Sequence, residues 1–201
     1  MPKRPKRLPR ALLSQDEVVT LLNQPDVNTP DGLRDRAILE VFYSCGLRRC
    51  ELMQVRCEDV NIANASVIVK HGKGNKERYL PIVDCALMWL SHYLENARDQ
   101  LTSNIAERFL FLTDYSERFN PNQLSQLVKK YMRKAGVEVN GSCHLLRHAM
   151  ATHMLDNGAD NRFIQSMRGH EDLTSTEIHT HVSIEKLREV HRMTHPSKVR
   201  H

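Results

Sequence analysis

The stretch that decides the fold reads His144-Leu145-Leu146-Arg147-His148-Ala149-Met150-Ala151-Thr152-His153, followed by Arg168-Gly169-His170 and closed by Ile178-His179-Thr180-His181. On a helix, His144 and Arg147 stand three residues apart and share a face, so an imidazole and a guanidinium point into one space. That pair suits a phosphate. Arginine offers a planar fork of donors matched to phosphate oxygens, and histidine moves a proton near neutral pH. Taken alone, H-x-x-R is more often two polar residues on the solvated face of an amphipathic helix, so the decision rests on what surrounds it.

Outward from this stretch, local signals lay out the elements. Ser14-Gln15-Asp16-Glu17 is a capping box, with Leu13 placed to staple onto Val18, and predicts a helix running to about Asn23. Thr29-Pro30 supplies an N-cap and a proline for the first helical position. Leu33, Ala37, Ile38, Val41, Phe42 and Cys45 then recur at helical spacing until Gly46 stops the helix and delivers Arg48 just beyond it. Alternating runs at Val60 to Ile62, Val67 to Lys70 and Arg78 to Ile82 predict a meander of three antiparallel strands. Gly72 and Gly74 around Lys73 free the backbone to bring that ammonium close to a ligand, although G-K-G by itself is also a plain hairpin tip.

Leu87, Leu90 and Leu94, with Trp89 and Tyr93, mark a helix from Asp84 to Glu95, whereas residues 96–119 carry no clear pattern. Asn120-Pro121 opens a helix to Ala135 that Gly136 ends; Leu124, Leu127, Val128 and Tyr131 form its apolar face, and Lys129, Lys130, Arg133 and Lys134 its basic half. Ser142 is placed to cap the His144 helix, with Leu145, Ala149, Thr152 and Met154 or Leu155 inward and Gly158 at its end. Phe163, Ile164 and Met167 predict a short helix into Gly169-His170, and Thr174-Ser175-Thr176-Glu177 is a second capping box that puts His179 on a short helix. The last helix follows Ser183, shows only Leu187 and Val190 as apolar, and ends near Pro196; so thin a face has little to bury within its own domain. The fold class expected is mainly α with a small three-stranded antiparallel sheet.

These motifs, taken together, resemble one family. H-x-L-R-H-x-x-A-T-H, then G-H some twenty residues on, then I-x-T-H-V, is similar to the C-terminal signature of the tyrosine recombinase (phage integrase) family, most closely its bacterial Xer-type members. Gly46-Leu47-Arg48-Arg49-Cys50-Glu51-Leu52 resembles that family's first arginine motif, and Gly72-Lys73-Gly74-Asn75-Lys76-Glu77-Arg78 its lysine hairpin. The resemblance runs in order from about Leu12 to Pro196 and implies the tyrosine recombinase catalytic-domain fold. Its extent implies a basic linker or arm at 1–10, a catalytic domain at 11–196 and a tail at 197–201. The family's additional N-terminal core-binding domain is then expected to be absent, the chain starting at what resembles an interdomain linker.

The resemblance also implies roles. Arg48 and Arg147 would clamp the nonbridging oxygens of a DNA phosphate and His170 would add a hydrogen bond. Lys73 would be the general acid for the departing 5′ oxygen, with His144 as proton acceptor or secondary donor. The helix opened by Asn120 would lie in a DNA groove, with Asn122 and Gln123 meeting base edges and Lys129, Lys130 and Arg133 meeting phosphates. Lys76 and Arg78 join that expected DNA contact set. Where the family carries its nucleophilic tyrosine, this sequence reads His179, and no tyrosine follows Tyr131. Three readings are open: a deliberate substitution that holds the protein on uncleaved DNA, a natural loss, or attack on phosphorus by the His179 imidazole itself. The function expected is that of a site-specific recombinase catalytic domain, cleavage-deficient as written. The alternative is a recombinase-fold protein that binds DNA without chemistry. The expected partners are a double-stranded recombination site and further copies of the chain, a tetramer by family, joined through the C-terminal helix. A second recombinase as co-partner is left open.

Composition is compatible with this. The chain has 201 residues, 40% of them hydrophobic, enough for one sizeable core. No run approaches the about 18 consecutive apolar residues that a membrane span needs, and no apolar segment follows the basic N-terminus as in a secretory signal, so no membrane partner is expected and the default compartment is cytoplasmic. Cys45, Cys50, Cys57, Cys85 and Cys143 are odd in number and form no C-x-x-C pair, which argues against a disulfide framework or zinc knuckle. His144 and His148 have chelating spacing, but no carboxylate or thiolate accompanies them and Arg147 between them repels a cation, so no metal or other cofactor is expected. The formal charge is +5, and residues 1–10 hold Lys3, Arg4, Lys6, Arg7 and Arg10. With those five removed from 29 basic residues, the remainder balances 24 basic against 24 acidic, so a polyanion surface must be built from local clusters. The arm itself could lie along phosphates or serve only as a solubilising end.

Overall fold

The structure, a computed structural model, describes residues 12–70, 77–103, 108–137, 141–169 and 184–197. Its elements follow the order α1 (Gln15–Leu22), α2 (Pro30–Cys45), α3 (Arg49–Leu52), β1 (Val60–Asn61), β2 (Ser66–Val69), β3 (Arg78–Pro81), α4 (Asp84–Asn96), α5 (Pro121–Lys134), α6 (Cys143–Asp156), α7 (Asn161–Arg168) and α8 (Ile184–Thr194). The mainly helical class with one small antiparallel sheet is therefore the fold observed. The strands pair in sequence order, with Val60 opposite Val67, Val67 opposite Leu80 and Val69 opposite Arg78.

The caps behave as their chemistry requires. Ser14 and Glu17 close a reciprocal capping box, Thr29 accepts from the Gly32 amide, and Asn120 accepts from the amides of Asn122 and Gln123. Ser142 does occupy the N-cap position of α6, but its side chain accepts no hydrogen bond from the helix; its ψ of −130° differs from the extended ψ of the other three caps. Met154, rather than the 42% exposed Leu155, faces the core.

Helix α2 is the axis of the domain. Every residue from Gly32 to Cys45 is buried, so the helix is surrounded rather than laid on a surface by one apolar stripe. Its charged residues are accommodated in pairs. Arg34 binds Asp35 at 2.7 Å and Asp114 at 2.5 Å, the Tyr131 hydroxyl donates to Asp35 at 2.7 Å, and Arg36 binds Glu40 at 2.7 Å while stacking on Trp89. Removing one partner from a buried pair leaves an uncompensated charge and costs about 3 to 5 kcal/mol, so these pairs fix the packing of α4 and α5 around α2.

One expectation is corrected here. Helix α8 does bury a face within its own domain, and imidazoles make much of it. Leu187, His191 and His195 are 6%, 1% and 0% exposed. His191 Nε2 donates to the Ser44 carbonyl at 2.7 Å and His195 Nε2 to the Tyr43 carbonyl at 3.1 Å, which ties α8 to the last turn of α2. His153 of α6 completes the cluster: its Nε2 donates to the Leu13 carbonyl, so its Nδ1 is the acceptor for the Tyr43 hydroxyl, both at 2.8 Å. A count of aliphatic residues misses this face because a neutral histidine with a satisfied N–H packs like a small aromatic.

Burial drives all three imidazoles below their ordinary range, His191 to about 4, against the opposite pull of the bonds they donate to carbonyls, and the Nδ1 that accepts from Tyr43 requires a neutral His153. As pH falls below about 6.5 the unfolded chain takes up protons that the folded chain refuses, so stability falls until the folded pKa is reached. Each such group contributes at most about 1.4 kcal/mol per pH unit to that slope. His191→Gln, which retains a donor for Ser44, should flatten the melting temperature profile between pH about 6.5 and about 4. An unchanged profile would mean that His191 is not held neutral.

Candidate phosphate-binding site

The convergence of helix ends builds the site. Helices α2 and α7 both terminate in a left-handed glycine, Gly46 at φ 58° and Gly169 at φ 62°, which exposes the carbonyls of their last turns. A side chain at either glycine would be strained by φ alone; at Gly46 a Cβ would also lie 1.9 Å from Met150, and at Gly169 3.3 Å from the Arg78 guanidinium. Arg147, buried on α6, reaches both exposed ends. Its Nη1 donates to the Gly46 carbonyl and its Nη2 to the Arg168 carbonyl at 2.7 Å. A cation is favoured at each helix C-terminus by the dipole, and Arg147 serves two at once. Two of its five N–H donors are thereby anchored, which fixes the plane of the remaining ones.

Arg48 arrives from the other side. It sits at the N-cap of α3, its amide donates to Glu51 Oε2 at 2.7 Å, and its Nη1 donates to Glu51 Oε1 at 2.7 Å. Its side chain stays 28% exposed, while that of Glu51 is 2% exposed. Arg78 covers the other side of the same carboxylate, giving Nη1 and Nη2 to Oε1 and Oε2 at 3.0 and 2.8 Å and its Nε to the Met167 carbonyl at 3.2 Å. Burial opposes ionisation of Glu51, yet the bonds from Arg78 and Arg48 outweigh it and hold the carboxyl below its ordinary range.

The result is an open cleft of about 520 Å³ between α3, α6 and the end of α7, lined by Arg48, Arg49, His144, Arg147, His148 and Arg168. Among the described residues the cations there outnumber the acids. Arg147 is drawn down to about 10, first by burial and then by Arg48, with Arg168 and Arg78 adding to the repulsion and Glu51 opposing it. A ligand carrying negative charge relieves that repulsion, whereas a metal cation worsens it; among the described residues no group of three or more His, Cys, Asp or Glu is placed to hold one.

Of the residues singled out from the sequence, Arg48, Arg147 and His144 come together in the cleft. Lys73, Lys76, His170 and His179 lie outside the described residues. Arg78 is beside the site, with its guanidinium engaged by Glu51 and Met167. Lys129, Lys130 and Arg133 are exposed on α5, and Asn122 and Gln123 line a separate shallow depression at its start, where the Gln123 side-chain oxygen accepts from the Asn120 amide. Arg49 reaches across to Ser125 at 2.7 Å and joins α5 to the lip of the cleft. Sequence reading left out Arg49, His148 and Arg168. His148 was accessible by its spacing of four from His144; the other two depend on how distant helix ends meet. All five tyrosines are among the described residues, and none lines the cleft.

Glu51 is the counterweight to this arrangement, so Glu51→Gln should lower stability by roughly 3 kcal/mol by leaving Arg48 and Arg78 without their buried partner. The denaturation midpoint measures this, and an unchanged midpoint would contradict the pairing.

The phage integrase family pattern matches residues 11–186. The chain is 50% identical over 200 residues to tyrosine recombinase XerC 2 of Ralstonia nicotianae, a match covering 99% of this chain and 57% of that protein. It is 42% identical over 196 residues to tyrosine recombinase XerD of Yersinia pestis, covering 97% of this chain and 65% of that protein. The crystal structure of XerA recombinase superposes with a TM-score of 0.72 at 30% identity, over 94% of this chain and 64% of the other. The chain thus spans roughly three fifths of the length of the relatives it matches. No helix among the described residues is long and apolar enough to cross a membrane. By its sequence and its fold, the chain belongs to the phage integrase family, with the architecture of a tyrosine recombinase catalytic domain.

Proposed function

We propose that this chain binds double-stranded DNA as the catalytic portion of a site-specific tyrosine recombinase, gripping one backbone phosphate between Arg48 and Arg147, and that His179 leaves it deficient in strand cleavage. The observation that carries the reading is the anchoring of Arg147 on two helix ends opposite Arg48, which preorganises donors around a space that wants an anion. In comparable sites the loss of one such donor lowers the rate by about 10² to 10³.

In the reaction, a protein nucleophile would attack phosphorus and conserve the phosphodiester bond energy in a covalent phosphoester while the 5′ oxygen leaves. Arg48 and Arg147 would neutralise the nonbridging oxygens, His170 would donate to one of them, Lys73 would protonate the leaving oxygen and His144 would exchange a proton at the site. His179 stands at the nucleophile position; an imidazole is shorter than a phenol and reaches phosphorus less readily. Helix α5, with Lys129, Lys130 and Arg133 outward, would lie along the DNA, and residues 1–10 would follow the phosphates as a basic arm. Assembly of several copies on the DNA is part of this reading. Since α8 is seated on its own domain, contacts between protomers made by that helix in this position would use its exposed side, which includes Met193.

The test uses a recombination site selected by binding from random duplex DNA and then built as a nicked suicide substrate. On a denaturing gel the chain as written should give no covalent adduct, and His179→Tyr should give one. An abundant adduct at His179 would overturn the claim of deficiency. Binding without an adduct in His179→Tyr would favour the alternative, a recombinase-fold protein that binds DNA without chemistry.

A further inference from the structure

Arg168 lines the cleft, yet neither the sequence motifs nor the two-arginine clamp gives it a task, and unlike Arg49, which is bonded to Ser125, its guanidinium makes no side-chain hydrogen bond among the described residues. Its main chain is already committed: the Arg168 carbonyl holds Arg147 and the preceding Met167 carbonyl holds Arg78, while Gly169 caps the helix in the left-handed region. The backbone at this point is therefore one of the most constrained in the site. Its side chain is half-buried and lines the same cleft as His144 and His148. The Nε of Arg168 is buried and has no hydrogen-bond partner among the described residues. A buried donor without a partner is costly, the more so on a charged group, so a long cationic side chain held this way is waiting for an acceptor.

The surroundings say what kind of acceptor. Arg48, Arg78 and Arg147 share Glu51 as their acid, and Arg168 adds a further cation that helps to depress Arg147. Among the acceptors that could satisfy Arg168, these cations favour an anionic one, and the cleft is open for it to enter. We propose that Arg168 is a third phosphate-binding arginine of this site, taking an oxygen of the DNA backbone alongside Arg48 and Arg147. This rests on the phosphate-binding reading of the cleft and adds to it a residue that positions the backbone from the α7 side. The fixed carbonyl makes the role specific. Movement of the Arg168 side chain onto a phosphate leaves the Arg147 anchor undisturbed, because that anchor uses only the main chain.

Each protein cation that neutralises a phosphate releases counterions and steepens the salt dependence of duplex binding, by about 0.9 in the slope of log K against log salt concentration. The test compares the unaltered chain with Arg168→Leu, Arg168→Lys and Arg147→Ala on a random-sequence DNA duplex, with the melting temperature of each variant recorded alongside. Arg168→Leu should bind more weakly and lose about 0.9 of slope, without a fall in melting temperature. Arg168→Lys, which keeps the charge but not the fork, should retain the slope. A slope unchanged in Arg168→Leu but reduced in Arg147→Ala would overturn the role of Arg168 and leave the clamp standing. A slope unchanged in both would reject the phosphate cleft itself. A lower melting temperature in Arg168→Leu with the slope retained would show that Arg168 serves the fold and would equally reject the proposal.

Discussion

The arginine at 147 is held by the C-termini of two helices that have no sequence proximity to each other. Its guanidinium closes the carbonyl of Gly46 and that of Arg168, so the ends of α2 and α7 and the middle of α6 are knotted at one charged group. Helix ends with unmet carbonyls are costly when buried, and a buried guanidinium without acceptors is costlier. Each requirement is met by the other. The same bonds that complete the helices also orient the donors of Arg147 towards the cleft, which is how stability and site geometry come to depend on one interaction.

Glu51 extends that logic to charge. A carboxylate that is 2% exposed persists because Arg48 and Arg78 enclose it, and it in turn brings Arg48 close to Arg147. Among the described residues, Glu51 holds the arginines in register without neutralising them. Electrostatic repulsion left over in the folded state is a reservoir that a phosphate can discharge, and it is local, since the rest of the chain beyond its basic N-terminus balances acid and base. Overall net charge would have given a weaker reason to expect DNA than this single cluster does.

What could be read from the sequence follows the range of the forces involved. Caps and stops are decided within about one helical turn, and so the starts at Gln15, Pro30 and Pro121 and the glycine stops at Gly46, Gly136 and Gly158 were legible. The meander was legible from its alternation, although its lysine tip lies outside the described residues. Helix α2 was legible as a core helix from its apolar spacing; the burial of its arginines and acids was not, because they find partners at Asn23, Asp114, Trp89 and Tyr131 that no local pattern announces. Helix α8 was read as nearly bare, because histidines were not counted as packing groups. In the site, Arg48, His144 and Arg147 were legible from motif spacing. The engagement of Arg78 with Glu51 and the presence of Arg168 in the cleft follow only from where α7 ends in space.

The most direct measurement is a structure of the chain bound to duplex DNA at a selected recombination site. The account predicts a backbone phosphate in the cleft with nonbridging oxygens within hydrogen-bond distance of both Arg48 and Arg147, and with Arg147 still closing the Gly46 and Arg168 carbonyls. A duplex seated on another face, with the cleft free of phosphate, would contradict it.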